Sequence, residues 1–447
     1  MINLSIFSNI PTDILALAVV LGVMIFVHEL GHFMAAKYFG VRVIRFSLGF
    51  PPRLFGIKRG DTDYCVGAVP LGGYVKMAGD DPTLERQGDP GEFLSKPRWQ
   101  RFVIVLMGPA MNVVLAVGLL ACLDRYHYEK AAYREEPARI AEVAPDSPAA
   151  KAGILSGDLI VRLGGLSNPK WEDVQIKVLT TVNESLPMTV LRDGRELELS
   201  VTPKAEGPDA LGDVGWAPYI PAILDEVESG TPAEKAGLKP GDQIAEVDGR
   251  QVSFWTMAET LQSSNGKPVR FTVQRDGKTF PVEITPVYSE MEDGKKWRIG
   301  VKLSQTGPVI IRQLPWGQAI AASVDSNIRN SLLAFDVLAK ILTRRLSPRG
   351  LSGPIGITQM AGLAFRSGLS DLVGMMSMIS MQLAIFNVLP IPVLDGGVML
   401  LLLIEGAIRH DLSLKVKERF VQAGLAFLLL LVAVVTYFDL LKTFRPS

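Results

Sequence analysis

His28, Glu29 and His32 fall in FVHELGHFMA, residues 26–35, near the end of an apolar run spanning 14–36. On a helix, positions i and i+4 share one face about a turn apart, so two imidazoles can be aimed at one cation. Glu29 projects beside the open coordination position. A carboxylate there takes a proton from a metal-activated water and later gives it to a leaving amide nitrogen. This is the H-E-x-x-H pattern, with Zn2+ as the expected metal and Glu29 as the expected catalytic base. The chain has only 4 histidines in 447 residues, so an accidental match is expected on the order of 0.001 to 0.01 times per chain. A purely structural cluster is also costly, because each ionisable side chain in a span costs ~2.5 to 3.5 kcal/mol on insertion scales.

A catalytic zinc has three protein ligands and an open position, so the sequence should supply one more. His127 lies beyond the second apolar run and His410 in a charged turn, which makes both poor candidates. Asp395 stands inside an apolar tract, in NVLPIPVLDGG, residues 387–397. Pro390 and Pro392 break a helix just before it, and Gly396 and Gly397 free the backbone after it, so the carboxylate can turn inward at a local unwinding. Asp395 is the expected third ligand. The alternative is a proline kink carrying a stray acid, which hydrocarbon surroundings disfavour.

The elements that position these residues are apolar spans. With 48% hydrophobic residues, the chain reads as a membrane protein, with spans expected near 14–36, 102–123, 371–404 and 421–440. The third tract is interrupted by LPIP at 389–392. Residues 1–12 carry no Lys or Arg and no small-residue cleavage site follows, so the first span is expected to be retained. Residues 37–101 hold eleven basic side chains and 409–419 hold four. That bias places both basic loops in the cytoplasm, and both termini and the segment 124–370 on the other side, the periplasm of a bacterial inner membrane. Zero formal net charge gives no basic field to recruit nucleic acid. Cys65 and Cys122 fall where a disulfide is not expected.

The soluble middle repeats itself. Residues 148–160 align with 232–244 at an offset of 84, with 8 of 13 positions identical, and the same offset carries Trp171 onto Trp255 and Gly165 onto Gly249. In each copy a short helix closes on glycine, Gly-Asp makes a tight turn, and an alternating strand such as Gln243 to Val247 follows. The wording A-x-K-A-G-[IL]-x-x-G-D-x-I resembles the PDZ domains of bacterial proteases, which implies modules that grip extended peptides at a sheet edge. Beyond them, Trp316 to Leu346 reads as an amphipathic helix, with Ile320, Val324, Ile328, Leu332 and Phe335 at helical spacing. It fits the membrane surface, and also a soluble helix packed on the repeats.

HELGH in one span with N-x-x-P-x-P-x-x-D-G in a later one resembles the site-2 protease family of intramembrane zinc metalloproteases. The resemblance implies zinc held by His28, His32 and Asp395, Glu29 as general base and acid, and Asn387 with Pro390 near the substrate strand. Gly108-Pro-Ala-Met-Asn112 matches the family's G-P-x-x-N, where Asn112 has either a helix-packing or an active-site role. Arg45-Phe-Ser-Leu-Gly-Phe50 and the stretch from Ala68 through Gly72 and Gly73 to Met77 resemble the family's re-entrant strands, here followed by Pro51-Pro52.

The expectation is therefore a polytopic α-helical membrane protein with four transmembrane helices and two tandem β-rich PDZ domains in the extracytoplasmic loop. Its parts are 1–123, with a re-entrant β loop at 40–78, then PDZ modules at 124–210 and 211–305, an interfacial segment at 306–370 and a membrane half at 371–447. By resemblance its partners are single-span membrane substrates of the anti-sigma-factor type, with leftover signal peptides as further substrates, plus peptide segments at the PDZ modules and the lipid bilayer. Two rivals are an intramembrane metal transporter and a non-catalytic PDZ scaffold anchored in the membrane.

Overall fold

The computed structural model describes residues 10–444 apart from 81–87, 127, 208–209, 292–293, 305 and 349–350; His127 lies outside the described residues. The chain divides into two units, one holding Met1–Tyr128, Arg312–Leu342 and Pro348–Ser447, the other Glu129–Ile311 with Thr343–Ser347. Among the described residues, four helices are long and apolar enough to cross a membrane.

The first is α1, Ile10–Tyr38, and at 29 residues it is ~43 Å long, more than the ~30 Å of a hydrocarbon core. Strands β1, Val43–Arg59, and β2, Thr62–Met77, follow. Each bends, so that 43–48 is flanked on one side by 73–77 and on the other by 63–66, while 53–59 pairs with 62–67. Pro51-Pro52 lies at the bend of β1, between the pairs Phe50↔Val69 and Arg53↔Gly67. The two missing backbone donors therefore fall at a corner instead of inside a ladder. Phe46 on β1 stacks edge-on against Phe26 and Phe33 of α1, fixing this small sheet to the helix. Helix α2, Arg98–Tyr126, is the second span.

The other unit is built twice. In the first copy β3, Ile140–Val143, β4, Leu159–Leu163, α3, Trp171–Thr180, β5, Leu186–Arg192, and β6, Arg195–Val201, enclose a core that includes Ile140, Ile160, Leu163, Trp171 and Val190. Strand β7, Trp216–Pro218, returns to pair with β3. The second copy has β8, Ala222–Val227, β9, Gln243–Val247, α4, Thr256–Ser263, β10, Val269–Arg275, β11, Lys278–Ile284, and β12, Val301–Leu303, with β12 pairing back onto β8. Its core includes Leu224, Ile244, Met257 and Phe271. The expected boundary at 210/211 falls inside the first copy. Val214 belongs to the first core, and the Ala149 N–H donates to the Val214 carbonyl at 2.9 Å. A closing strand is separated from its partner by a whole module of sequence, so local patterning did not assign it.

The Gly-Asp turns have one job in both copies. Asp158 accepts the Leu155 N–H at 2.9 Å and Asp242 the Lys239 N–H at 2.8 Å, which closes the turn. Each carboxylate, 1% exposed, also receives a two-pronged guanidinium, Arg192 on Asp158 and Arg275 on Asp242, and each Arg donates again to the carbonyl that ends the short helix, Gly153 or Gly237.

Helix α5, Trp316–Leu342, packs on α2, where Ser323 Oγ donates to the Val117 carbonyl at 2.8 Å. Helix α6, Pro354–Ser367, precedes α7, Leu369–Val388, the third span. The expected span 371–404 is two helices, not one. Helix α7 ends at the prolines and α8, Asp395–Ile408, begins at the aspartate. With 14 residues, α8 is ~21 Å long and too short to cross. The fourth span, α9, Leu414–Phe444, starts earlier than expected, because Lys415, Lys417 and Arg419 are helical and the turn is only 409–413.

Burial pushes the Asp242 carboxyl up, but Arg275 and the Lys239 N–H outweigh it and hold it below the ordinary carboxylate range. A carboxyl depressed in the fold contributes stability above its unfolded pKa of ~3.9, and that contribution is lost as pH falls below it. Hydrogen-exchange protection across 222–303, corrected for intrinsic rates, should therefore drop on acidification below about pH 4. Asp242→Asn should remove ~3 kcal/mol of protection at neutral pH while 140–201 changes little.

Candidate metal centre

The site begins with a backbone contact. A methyl group on Gly31 of α1 would lie 2.1 Å from the Met107 carbonyl oxygen of α2, and one on Gly108 would lie 2.3 Å from His32 Nε2. Only two glycines let these helices meet closely enough for α2 to form the wall behind both histidines. His28 and His32, each 8% exposed, stand one turn apart on α1. His32 Nδ1 donates to the Ile104 carbonyl at 2.9 Å, which leaves Nε2 as a lone pair. His28 Nδ1 lies 3.1 Å from the Asn112 amide.

Asp395 arrives from the other half of the membrane unit. It is the first residue of α8, with Leu394 as N-cap. Gly396 and Gly397 are required there, since a methyl on either would lie 2.1 Å from the Leu389 oxygen or 2.5 Å from the Ile391 oxygen. The 389–394 segment is thus folded tightly over the start of α8.

His28, His32 and Asp395 each offer one ligand atom, all within 4.8 Å of one another. His28 Nε2 lies 3.2 Å from His32 Nε2 and 3.1 Å from Asp395 Oδ2, and His32 Nε2 lies 3.5 Å from Asp395 Oδ1. A tetrahedron with bonds of ~2.0 to 2.1 Å has edges of ~3.3 to 3.4 Å. Asp395 Oδ2 is buried without a hydrogen-bond partner. Two imidazole nitrogens and a carboxylate oxygen at this spacing suit a zinc ion.

Glu29 lies beside them under β2, where a methyl on Gly73 would sit 3.3 Å from Glu29 Cγ. Gly72 faces elsewhere, and a methyl there would meet the Phe50 ring at 2.1 Å. Asn387 is half-buried in the last turn of α7, and Pro390 and Pro392 lie in the following segment; none of the three supplies one of the clustered ligand atoms. Pro392 instead packs on α9, where a methyl on Gly424 would lie 2.1 Å from Pro392 Cβ. His410 is exposed in the turn after α8. Sequence reasoning passed over Gly31, although a glycine between two candidate ligands on a membrane helix was a signal of close helix approach.

The profile of peptidase family M50 matches residues 16–431. The regulator of sigma E protease of Salmonella typhi is 31% identical over 462 residues, covering 98% of this chain and 99% of that one. The regulator of sigma-E protease RseP of Escherichia coli (strain K12) is 30% identical over 459 residues, covering 96% and 98%. A relative from Neisseria meningitidis with zinc metalloprotease in its name is 30% identical over 444 residues, covering 94% and 97%. Among solved structures, the PDZ domain of the SdrC-like protein of Listeria monocytogenes aligns with 21% of this chain and 98% of its own, at 22% identity and a TM-score of 0.18.

Because the Gly108 position is filled by the imidazoles themselves, Gly108→Val should displace both rings. Metal analysis of the purified chain should show zinc falling from about one per chain to near zero, while the exchange protection of 140–201 is unchanged.

Proposed function

The chain belongs to peptidase family M50 and is a zinc metalloprotease, and on that premise we propose that it cuts single-span membrane substrates within or near the bilayer. The observation that carries the reading is the meeting of His28, His32 and Asp395 from two separated membrane segments, with Glu29 alongside. His28, His32 and Asp395 would hold the zinc. When bound there, the ion lowers the pKa of a water toward ~7 and polarises the scissile carbonyl. Glu29 takes the proton from the water and delivers it to the amide nitrogen as the bond breaks.

A transmembrane helix keeps its peptide groups bonded to each other, so a protease must hold its substrate locally unwound. The 73–77 segment is an outer strand of the small sheet and runs over Glu29. Strand addition to that edge would present an extended peptide to the metal, with its backbone bonds satisfied by the enzyme. Asn387 and the 390–392 turn would border the other side.

The two β-rich modules are read as tandem PDZ domains outside the cytoplasm, with both termini on the same side and the basic loops in the cytoplasm. The supporting observations are the eleven basic residues at 37–101, the duplicated Gly-Asp turns, and the four apolar helices. The relatives named for sigma-E regulation support an inner-membrane enzyme of regulated intramembrane proteolysis, with an anti-sigma factor as the substrate type.

The test is cleavage of a single-span model substrate in liposomes by wild type and Glu29→Gln, with zinc measured in both. Wild type should cleave, and Glu29→Gln should lose at least ~10²-fold in rate while keeping about one zinc per chain. A variant as active as wild type would overturn the role of Glu29, and zinc binding without cleavage in either protein would favour transport. A strong chelator should abolish wild-type cleavage, and added Zn2+ should restore it.

A further inference from the structure

We propose that Asn112 is a positioning residue for the metal centre, its amide oxygen accepting the Nδ1–H of His28 so that the Nε2 lone pair is held toward His32 and Asp395. The inference rests on the ligand set proposed above. Asn112 is 0% exposed on α2, and its side-chain amide lies 3.1 Å from His28 Nδ1. Two hydrogen-bond directions fit that distance, because the two ends of an amide have the same shape and a histidine has two tautomers.

If the amide NH2 donates, His28 Nδ1 is the acceptor and Nε2 carries the hydrogen. That hydrogen then points between His28 and His32, whose Nε2 atoms are 3.2 Å apart, and occupies the place a shared cation needs. If the amide oxygen accepts, the hydrogen sits on Nδ1 and both Nε2 atoms are lone pairs. The second direction alone is compatible with a metal on both rings.

Two observations favour it. Asn112 Oδ1 is a buried acceptor with no partner, so the needed oxygen is present and unused within reach of one rotation of the amide. The neighbouring ring already follows the same rule, since His32 Nδ1 donates to the Ile104 carbonyl. Both acceptors come from α2, the helix brought close by Gly31 and Gly108. The Asn112 backbone is itself held, as Ser380 Oγ on α7 donates to its carbonyl at 2.8 Å and Ser377 Oγ to that of Ala116 at 2.8 Å. The amide is therefore fixed at its root and free only to choose which end faces the ring.

The experiment measures zinc affinity of the full-length chain in detergent by chelator competition, and the visible spectrum of its cobalt(II) form, for wild type, Asn112→Asp and Asn112→Leu. A carboxylate offers acceptors only, so Asn112→Asp should keep affinity within about threefold and retain the cobalt bands. Asn112→Leu removes the acceptor and should lose about 10- to 100-fold with altered bands. If Asn112→Asp loses as much as that, an acceptor at position 112 is not what holds the ring and the proposal is wrong. Unchanged affinity in Asn112→Leu would also overturn it. Should Asn112→Leu fail to fold, Asn112→Asp still decides, because the proposal requires it to keep zinc affinity and the cobalt bands. Wild type that binds no zinc would sink the ligand set along with this inference. Wild type that binds one zinc, with variants indistinguishable from it, would sink this inference alone.

Discussion

The contact between Gly31 and Met107, and its counterpart between Gly108 and His32, sets the distance between α1 and α2, and the metal centre depends on that distance. Hydrocarbon offers helices no hydrophobic drive to associate, so close packing and interhelical hydrogen bonds must hold them. Here the packing is close enough that one helix's backbone carbonyl, at Ile104, serves as acceptor for the other helix's imidazole. Side chains at positions 31 and 108 would widen the gap, and the histidines would lose both their rear wall and the bond that fixes the His32 tautomer.

A second constraint concerns Asp395. An acid on the side of a continuous span would be solvated poorly and aimed poorly. Ending α7 at the prolines and starting α8 at the aspartate puts the carboxylate at a helix N-terminus, where unpaired N–H groups favour negative charge. The break exposes backbone, which membrane proteins tolerate only when protein covers it. Gly424 on α9 gives that cover by letting the helix lie against Pro392. Val393 takes φ +82, a backbone region a β-branched residue rarely adopts, so the turn is held by its surroundings rather than by its own preference.

Much of this was legible in the sequence because the chemistry is carried by rare residues in an apolar background. Two histidines and a glutamate in one span, and an aspartate among prolines and glycines in another, point at each other without any long-range information. The repeat was equally plain, since Gly-Asp recurs at a fixed offset; what could not be read was its purpose. The partners of Asp158 and Asp242 are Arg192 and Arg275, more than thirty residues away and reached only once the sheet has formed. The same limit hid the return of β7 onto β3. The interruption of 371–404 at LPIP was legible, but not that the piece after it is a helix of 14 residues, too short to cross.

Polar groups buried in the membrane unit separate into two kinds. Asp13 on α1 pairs with Arg366 on α6, and Glu405 on α8 pairs with Lys417 on α9 at 2.7 Å. Asp439 on α9 accepts the Gly353, Ile355 and Gly356 N–H groups at 3.0, 3.1 and 3.0 Å, satisfying the orphan donors at the start of α6. Ser377 and Ser380 donate to carbonyls of α2. Each of these acids and hydroxyls meets a group of complementary charge or hydrogen-bonding sense, and each contact joins two helices, which is the structural use of polarity in a membrane. His28, His32 and Asp395 are arranged differently. Their ligand atoms, His28 Nε2, His32 Nε2 and the Asp395 carboxylate oxygens, lie 3.1 to 3.5 Å from one another around a common centre, the spacing that a shared cation requires. Asp13, Glu405 and Asp439 thus serve to join helices, whereas His28, His32 and Asp395 gather three ligand atoms facing one another, and that place is the metal centre.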